Sequence, residues 1–191
     1  MRLVTNLIRR TEGSALLEFA IVLPLLVVFV VGIYDFSGAF NEKQKIEHAA
    51  QVAALVAGNQ PTGDRDPGVS NPDSLQPVLA VVLNSLGGDG VLPLANQGTC
   101  QLPVGMSGVS NSGLVWTYTL SGCSNNPADV LMITIDRGVV SGTTPATIST
   151  SVTVSFPYHW RFNSAIQLLF PGASYAATTT MQETATVHNQ M

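Results

Sequence analysis

The sequence predicts an α+β protein in which one long amino-terminal transmembrane helix extends into an antiparallel β-sheet domain. Three observations carry this reading. No residue from Phe19 to Tyr34 is charged, and with Ala15, Leu16 and Leu17 the apolar run approaches the roughly 20 residues a helix needs to cross a bilayer. The polar stretch Asn41 to His48 and the alanine-rich stretch Ala49 to Ala57 continue helix-forming sequence well beyond that run. Further along, helical periodicity gives way to alternation of apolar and hydroxyl residues, the mark of half-buried strands.

Charge sets the expected orientation. The formal net charge is −4, yet residues 1–13 hold three arginines against one glutamate, leaving five basic and eleven acidic residues beyond them. Arg2, Arg9 and Arg10 precede the apolar run, while Asp35 and Glu42 follow it before any lysine. The positive-inside rule therefore puts the amino end in the cytoplasm and exports the rest. Five basic residues cannot build a stripe that tracks phosphates, so nucleic acid is excluded as a partner.

The helix is expected from about Ser14 to Ala57, stopped by Gly58 with Pro61 close behind. Ile46, Ala50, Ala53 and Ala57 fall on one side, small enough for close packing on a sheet. His48 reads as a solvated surface histidine. Glu18 is the anomaly, because a charge in hydrocarbon costs a few kcal/mol and needs a partner or a purpose. Pro24 either kinks the helix by removing a backbone donor or is simply tolerated, as membrane helices tolerate proline. A cleavable signal peptide, removed after Ala39, is the competing account of the whole segment. The length of the core, its Glu18 and Pro24, and the helical sequence after it favour an uncleaved one.

About 130 residues remain for one exported domain. Gln60 to Pro72 reads as a loop, and its Asp64 and Asp66 with Asp73 invite a calcium site, but the spacing departs from the EF-hand pattern and solvated turn carboxylates fit better. Ser74 is expected to cap a short helix through Leu86, with Pro77 in its first turn and Leu79, Val82, Leu83 and Leu86 on its apolar face, stopped by Gly87-Gly88. Strands follow at Leu114 to Leu120 and Val130 to Ile135. In the next, Ile148, Thr150, Val152, Val154 and Phe156 face the core, with Ser149, Ser151, Thr153 and Ser155 in water. A turn at Pro157 to Arg161, a helix from Asn163 to Pro171-Gly172 and a last strand from Tyr175 to about Val187 complete the chain. In an oxidising compartment Cys100 and Cys123 form a single disulfide, which would stabilise the fold by about 3 kcal/mol; two buried thiols are the alternative.

No catalytic constellation is visible. His48, His159 and His188 lie in unlike contexts, and there is no G-x-S-x-G, no H-E-x-x-H and no phosphate-binding glycine loop. The sequence therefore predicts a protein that is not an enzyme and needs neither cofactor nor metal.

Gly13, the four residues after it, and then Glu18-Phe19 behind a short basic leader resemble the processing site of type IV pilin-like proteins. The longer wording Ala15-Leu16-Leu17-Glu18-Phe19-Ala20-Ile21-Val22-Leu23-Pro24 is similar to TadE-like pseudopilins of the tight adherence (Flp) pilus system, which typically read EFA, two or three aliphatics, then LP. Ser174 to Glu183 is similar to their terminal strand, although Gln182 stands where an arginine often follows the methionine. The resemblance implies a pilin-like fold and a prepilin peptidase that cuts between Gly13 and Ser14. It divides the chain into a leader at 1–13, a transmembrane and amphipathic helix at 14–57, and an exported domain at 58–191. It further implies that Glu18, with Phe19 and Pro24, serves assembly: the α-amino group freed at Ser14 would lie one turn before the carboxylate, at the i, i+4 spacing.

The implied function is that of a minor pseudopilin in the bacterial inner membrane, periplasmic beyond its helix, that assembles or primes a pilus for surface attachment. Its implied partners are the peptidase, other Tad pseudopilins, the Flp major pilin and the inner-membrane assembly platform, with incorporation in an extracellular pilus as a further option. A membrane-anchored extracytoplasmic ligand-binding or adhesin module is the second reading.

Overall fold

The computed structural model describes residues 5–61, 63–64, 71–100, 109–110, 114–141, 147–162, 172 and 178–190. Helix α1 runs Thr5–Gly58. A 3-10 turn at Asp73–Leu75 leads into α2, Gln76–Gly88. Five strands follow: β1 Val109–Ser110, β2 Val115–Ser121, β3 Val130–Ser141, β4 Thr147–His159 and β5 Thr178–His188. The fold is α+β with an amino-terminal membrane-type helix and an antiparallel sheet. The chain divides into two compact units, residues 1–39 with 159–178, and residues 40–158 with 179–191.

The second unit holds the sheet, in the order β1-β2-β3-β4-β5. Antiparallel pairing joins β1 to β2, β2 to β3 and β3 to β4. Thr153 Oγ1 meets Thr184 Oγ1 at 2.8 Å, Ser149 Oγ meets His188 Nδ1 at 2.9 Å, and Asn189 N donates to the Ile148 carbonyl. Those partners run in opposite directions along the chain, so β5 is antiparallel to β4 as well. One face of the sheet shares a core with the helices. Ile46, Ala49, Ala50, Ala53, Ala54 and Ala57 of α1 are buried with Trp116, Tyr118, Leu131, Ile133, Ile135, Val152 and Val154. The alanine face thus lies where its spacing put it, and small side chains allow the close approach.

In α2 the buried residues are Val78, Leu79, Val82 and Leu86, with Leu83 only partly covered. Ser74 does not cap this helix. Leu75 occupies the cap position without a side-chain bond, and Pro77 stands in the first turn, where its missing N–H costs nothing. Ser74 is instead drawn into the preceding 3-10 turn, where its N–H donates to Asp64 Oδ2 at 2.8 Å. Gly87 and Gly88 belong to α2, and the chain leaves it through Asp89 and Gly90, whose positive φ of 72° suits glycine.

Two strands outrun their expected ends. β3 continues from Ile135 to Ser141 through an irregularity between Asp136 and Val139, where Arg137 N bonds the Leu114 carbonyl and Gly138 N bonds Asp136 Oδ1. Such a bulge flips the facing of later residues. Opposite it the alternation of β4 breaks: Ser149 and Thr150 are both buried, whereas Ile148, expected inside, is 42% exposed. β4 also continues through Pro157 to His159, where a turn was expected. Its pairing with β3 ends at Met132↔Ser155, so Pro157 lies past the paired stretch and deprives that ladder of no donor.

The first unit is built on α1 up to Ala39. Most of the apolar run is exposed, with Leu16, Ile21, Leu25 and Ile33 all open, while Val28, Val31 and Gly32 are half-buried. This is the one helix among the described residues that is long and apolar enough to cross a membrane. Helix α1 begins ahead of the expected Ser14 and includes Pro24 in its interior. The expected helix from Asn163 to Pro171 and the strand start at Tyr175 lie outside the described residues.

Candidate functional site

The first constellation sits on one turn of α1. Ser14 Oγ donates to Glu18 Oε1 at 3.3 Å, four residues apart on one helix face, and both residues are exposed. Phe19, 62% exposed, is the next residue on the surface, and Pro24 lies within two turns. Pro24 has no N–H to return to the carbonyl of Ala20, so that carbonyl is open to other donors. The Gly13–Ser14 bond lies inside α1.

Seventeen residues on, Asp35 closes the apolar run. It is only 2% exposed, and its Oδ2 accepts the backbone N–H of Phe162 at 2.7 Å. The Phe36 and Trp160 rings meet edge to face, 5.2 Å between centroids. Sequence reasoning missed this arrangement, reading Pro157 to Arg161 as a plain turn. Its signal was present, since an acidic residue at the end of an apolar run and two aromatics flanking Arg161 both call for partners.

In the second unit the disulfide joins Cys100 and Cys123. Its surroundings explain why the sulfurs meet. Cys100 N and Thr99 Oγ1 both donate to the Asn96 carbonyl, Asn96 Nδ2 reaches the Gly122 and Ser124 carbonyls, and Thr99 Oγ1 also reaches Gly122. Gly122, at φ 75°, turns the chain after β2 in a conformation that side-chain-bearing residues avoid.

Two of the three carboxylates of the acidic stretch, Asp64 and Asp73, fall within the described residues. Asp64 is partly buried rather than a solvated turn carboxylate, Asp73 is exposed, and Asp66 lies outside the described residues. Burial would raise the Asp64 pKa, but hydrogen bonds from the Ser74 N–H and hydroxyl, with the Arg137 charge, outweigh it and hold the carboxyl below its ordinary value. Among the described residues no three His, Cys, Asp or Glu side chains cluster to hold an ion. His48 lies near Asp89, His159 near Thr178 and His188 on Ser149.

These features define the class first: a protein with an amino-terminal helix fit for single-pass membrane anchoring, followed by a disulfide-bonded α+β domain. Comparison then points to a family. Residues 13–55 match the family described as TadE-like protein, in agreement with the resemblance carried by Gly13 to Pro24 and consistent with a TadE-like protein of the Tad pilus system. The match ends before α2 and the sheet begin. No curated protein and no solved structure matches the chain.

Proposed function

We propose that this chain is a minor pseudopilin of a tight-adherence pilus, cut between Gly13 and Ser14 by a prepilin peptidase and acting through assembly rather than chemistry. The observation that carries the proposal is the Ser14–Glu18 pair, within hydrogen-bonding reach on one face of a membrane-type helix at the start of the family match. Cleavage would place an ammonium group on Ser14 one turn before the carboxylate. At the low dielectric of a bilayer an unpaired charge is costly and a paired one strongly held. Glu18 then satisfies its own amino terminus in a lone subunit, or that of a neighbour in an assembled one, and the exchange sets register. In this reading the amino end is cytoplasmic, residues 58–191 are periplasmic, and the partners are the peptidase, sibling pseudopilins, the major pilin and the assembly platform.

Two measurements test it. Intact mass of the protein from its native host is expected to start at Ser14, and a chain retaining residues 1–13 overturns the proposal. Glu18→Ala is expected to leave membrane insertion intact while abolishing co-purification with pilus subunits, and unchanged piliation would remove the role of the carboxylate.

The second reading, an extracytoplasmic binding or adhesin module, is favoured by the outer face of the sheet. Thr117, Thr134 and Thr153 stand in register across three strands, and Thr184 of β5 bonds Thr153. Thr119, Ser151, Ser155 and Thr186 flank that row, giving a hydroxyl-rich surface. Thr134→Lys would impair surface attachment with pilus number unchanged if this face binds a ligand, and would leave both unchanged under the assembly reading.

A further inference from the structure

We infer that Trp160–Phe162, hooked onto α1 through Asp35, is a phospholipid-contacting site at the rim of the bilayer. Phe162 N–H is held 2.7 Å from the buried Asp35 carboxylate, and Trp160 stacks edge-on against Phe36. Between hook and helix lies an almost wholly apolar cavity of about 320 Å³, walled by Val28, Phe29, Gly32 and Ile33 on one side and Trp160 and Phe162 on the other.

Position on the helix identifies the occupant. Four of the lining residues belong to the apolar run, so the cavity opens on the surface that faces acyl chains. From Glu18 to Tyr34 the helix rises roughly 25 Å, close to the hydrocarbon thickness of a bilayer, which puts Phe36 and Trp160 at headgroup depth. Tryptophan favours that depth, its ring amphipathic. Arg161, exposed between the two aromatics, supplies the charge that suits a lipid phosphate. The occupant is therefore a phospholipid, with an acyl chain in the cavity and its phosphate toward Arg161. The inference rests on reading α1 as a membrane span.

The chain has two tryptophans, and Trp116 is fully buried in the sheet core, so fluorescence quenching reports on Trp160. The full chain is reconstituted in phosphatidylcholine and phosphatidylglycerol vesicles whose acyl chains are brominated near the headgroup or near the methyl end. The Trp160 signal should fall roughly twofold with the shallow bromines and less with the deep ones. Trp160→Phe should abolish the quenching, and Asp35→Ala, which releases the hook, should weaken it. A second reporter, Leu25→Trp in the Trp160→Phe background, tests the span itself. If the Leu25→Trp reporter is quenched while Trp160 of the unaltered chain is not, as when a neighbouring protein helix fills the cavity, the lipid site is overturned and the span stands. If neither is quenched, the span reading fails and the inference with it.

Discussion

Arg137 is 1% exposed, yet its guanidinium donates to Ser74 Oγ at 2.7 Å and to the Gln60 carbonyl at 3.0 Å, with Asp64 4.0 Å away. A buried cation is tolerable when it is hydrogen-bonded and near an opposite charge, and here the two bonds from its terminal nitrogens tie the loop after α1 to the turn before α2. Arg137→Met keeps the volume but strands those acceptors. We expect a loss of about 2–4 kcal/mol, read as a lower denaturation midpoint at an unchanged slope. Tyr118 makes the alkaline counterpart. Burial pushes its phenol from 10.0 up to about 12, while its hydroxyl donates to Asn71 Oδ1 at 3.2 Å. The unfolded chain releases this proton first, so the folded state gains from the neutral phenol below pH 10, and the gain disappears as pH climbs toward about 12. Urea unfolding across that window should show stability falling with pH, and Tyr118→Phe should flatten that fall.

At the level of elements, α1 and β4 were the most legible, because each repeats one spacing over many residues. The alanine face is fully buried, as its 3.6-residue period required, and Val152, Val154 and Phe156 face the core as period two required. Local spacing has no access to partners distant in sequence, and the missed features are of that kind. Ser74 looked like a cap until Asp64 and Arg137 claimed it, Ile148 looked buried until the bulge in β3 changed the facing, and Asp35 met Phe162 from the far end of the chain. The pairing of Cys100 with Cys123 was readable from an even cysteine count, whereas the partners that Asp35 and Trp160 call for could not be named from local spacing. The end of α1 shows the same dependence on distant chain. A Cβ on Gly58 would lie 2.9 Å from Val187 Cγ1 and 3.3 Å from the His188 carbonyl oxygen, and Gln190 N donates to the Gly58 carbonyl. Gly58→Ala should therefore destabilise the second unit by about 1–3 kcal/mol, and Gly58→Val by more, as measured by thermal unfolding.

For the whole molecule, the disulfide links stability to compartment. Cys100 and Cys123 are 23 residues apart in sequence, and the bridge closes a loop that contains β1 and β2. In the chain-entropy model a loop of that length contributes about 3 kcal/mol, a large share of what a domain of this size has to spare. Such a bridge persists outside the cytoplasm and is kept reduced within it. The orientation proposed from the arginines before the apolar run thus makes a chemical prediction about sulfurs far from it. In native cells quenched with a membrane-permeant maleimide before lysis, the unfolded protein should carry no added mass until it is reduced, and two additions per chain afterwards. Two additions without reduction would place the sheet domain on the reducing side and overturn the orientation. Cys100→Ser with Cys123→Ser should then lower the unfolding temperature of the sheet domain while leaving α1 as firmly in the membrane as before, because the bridge lies wholly beyond the span.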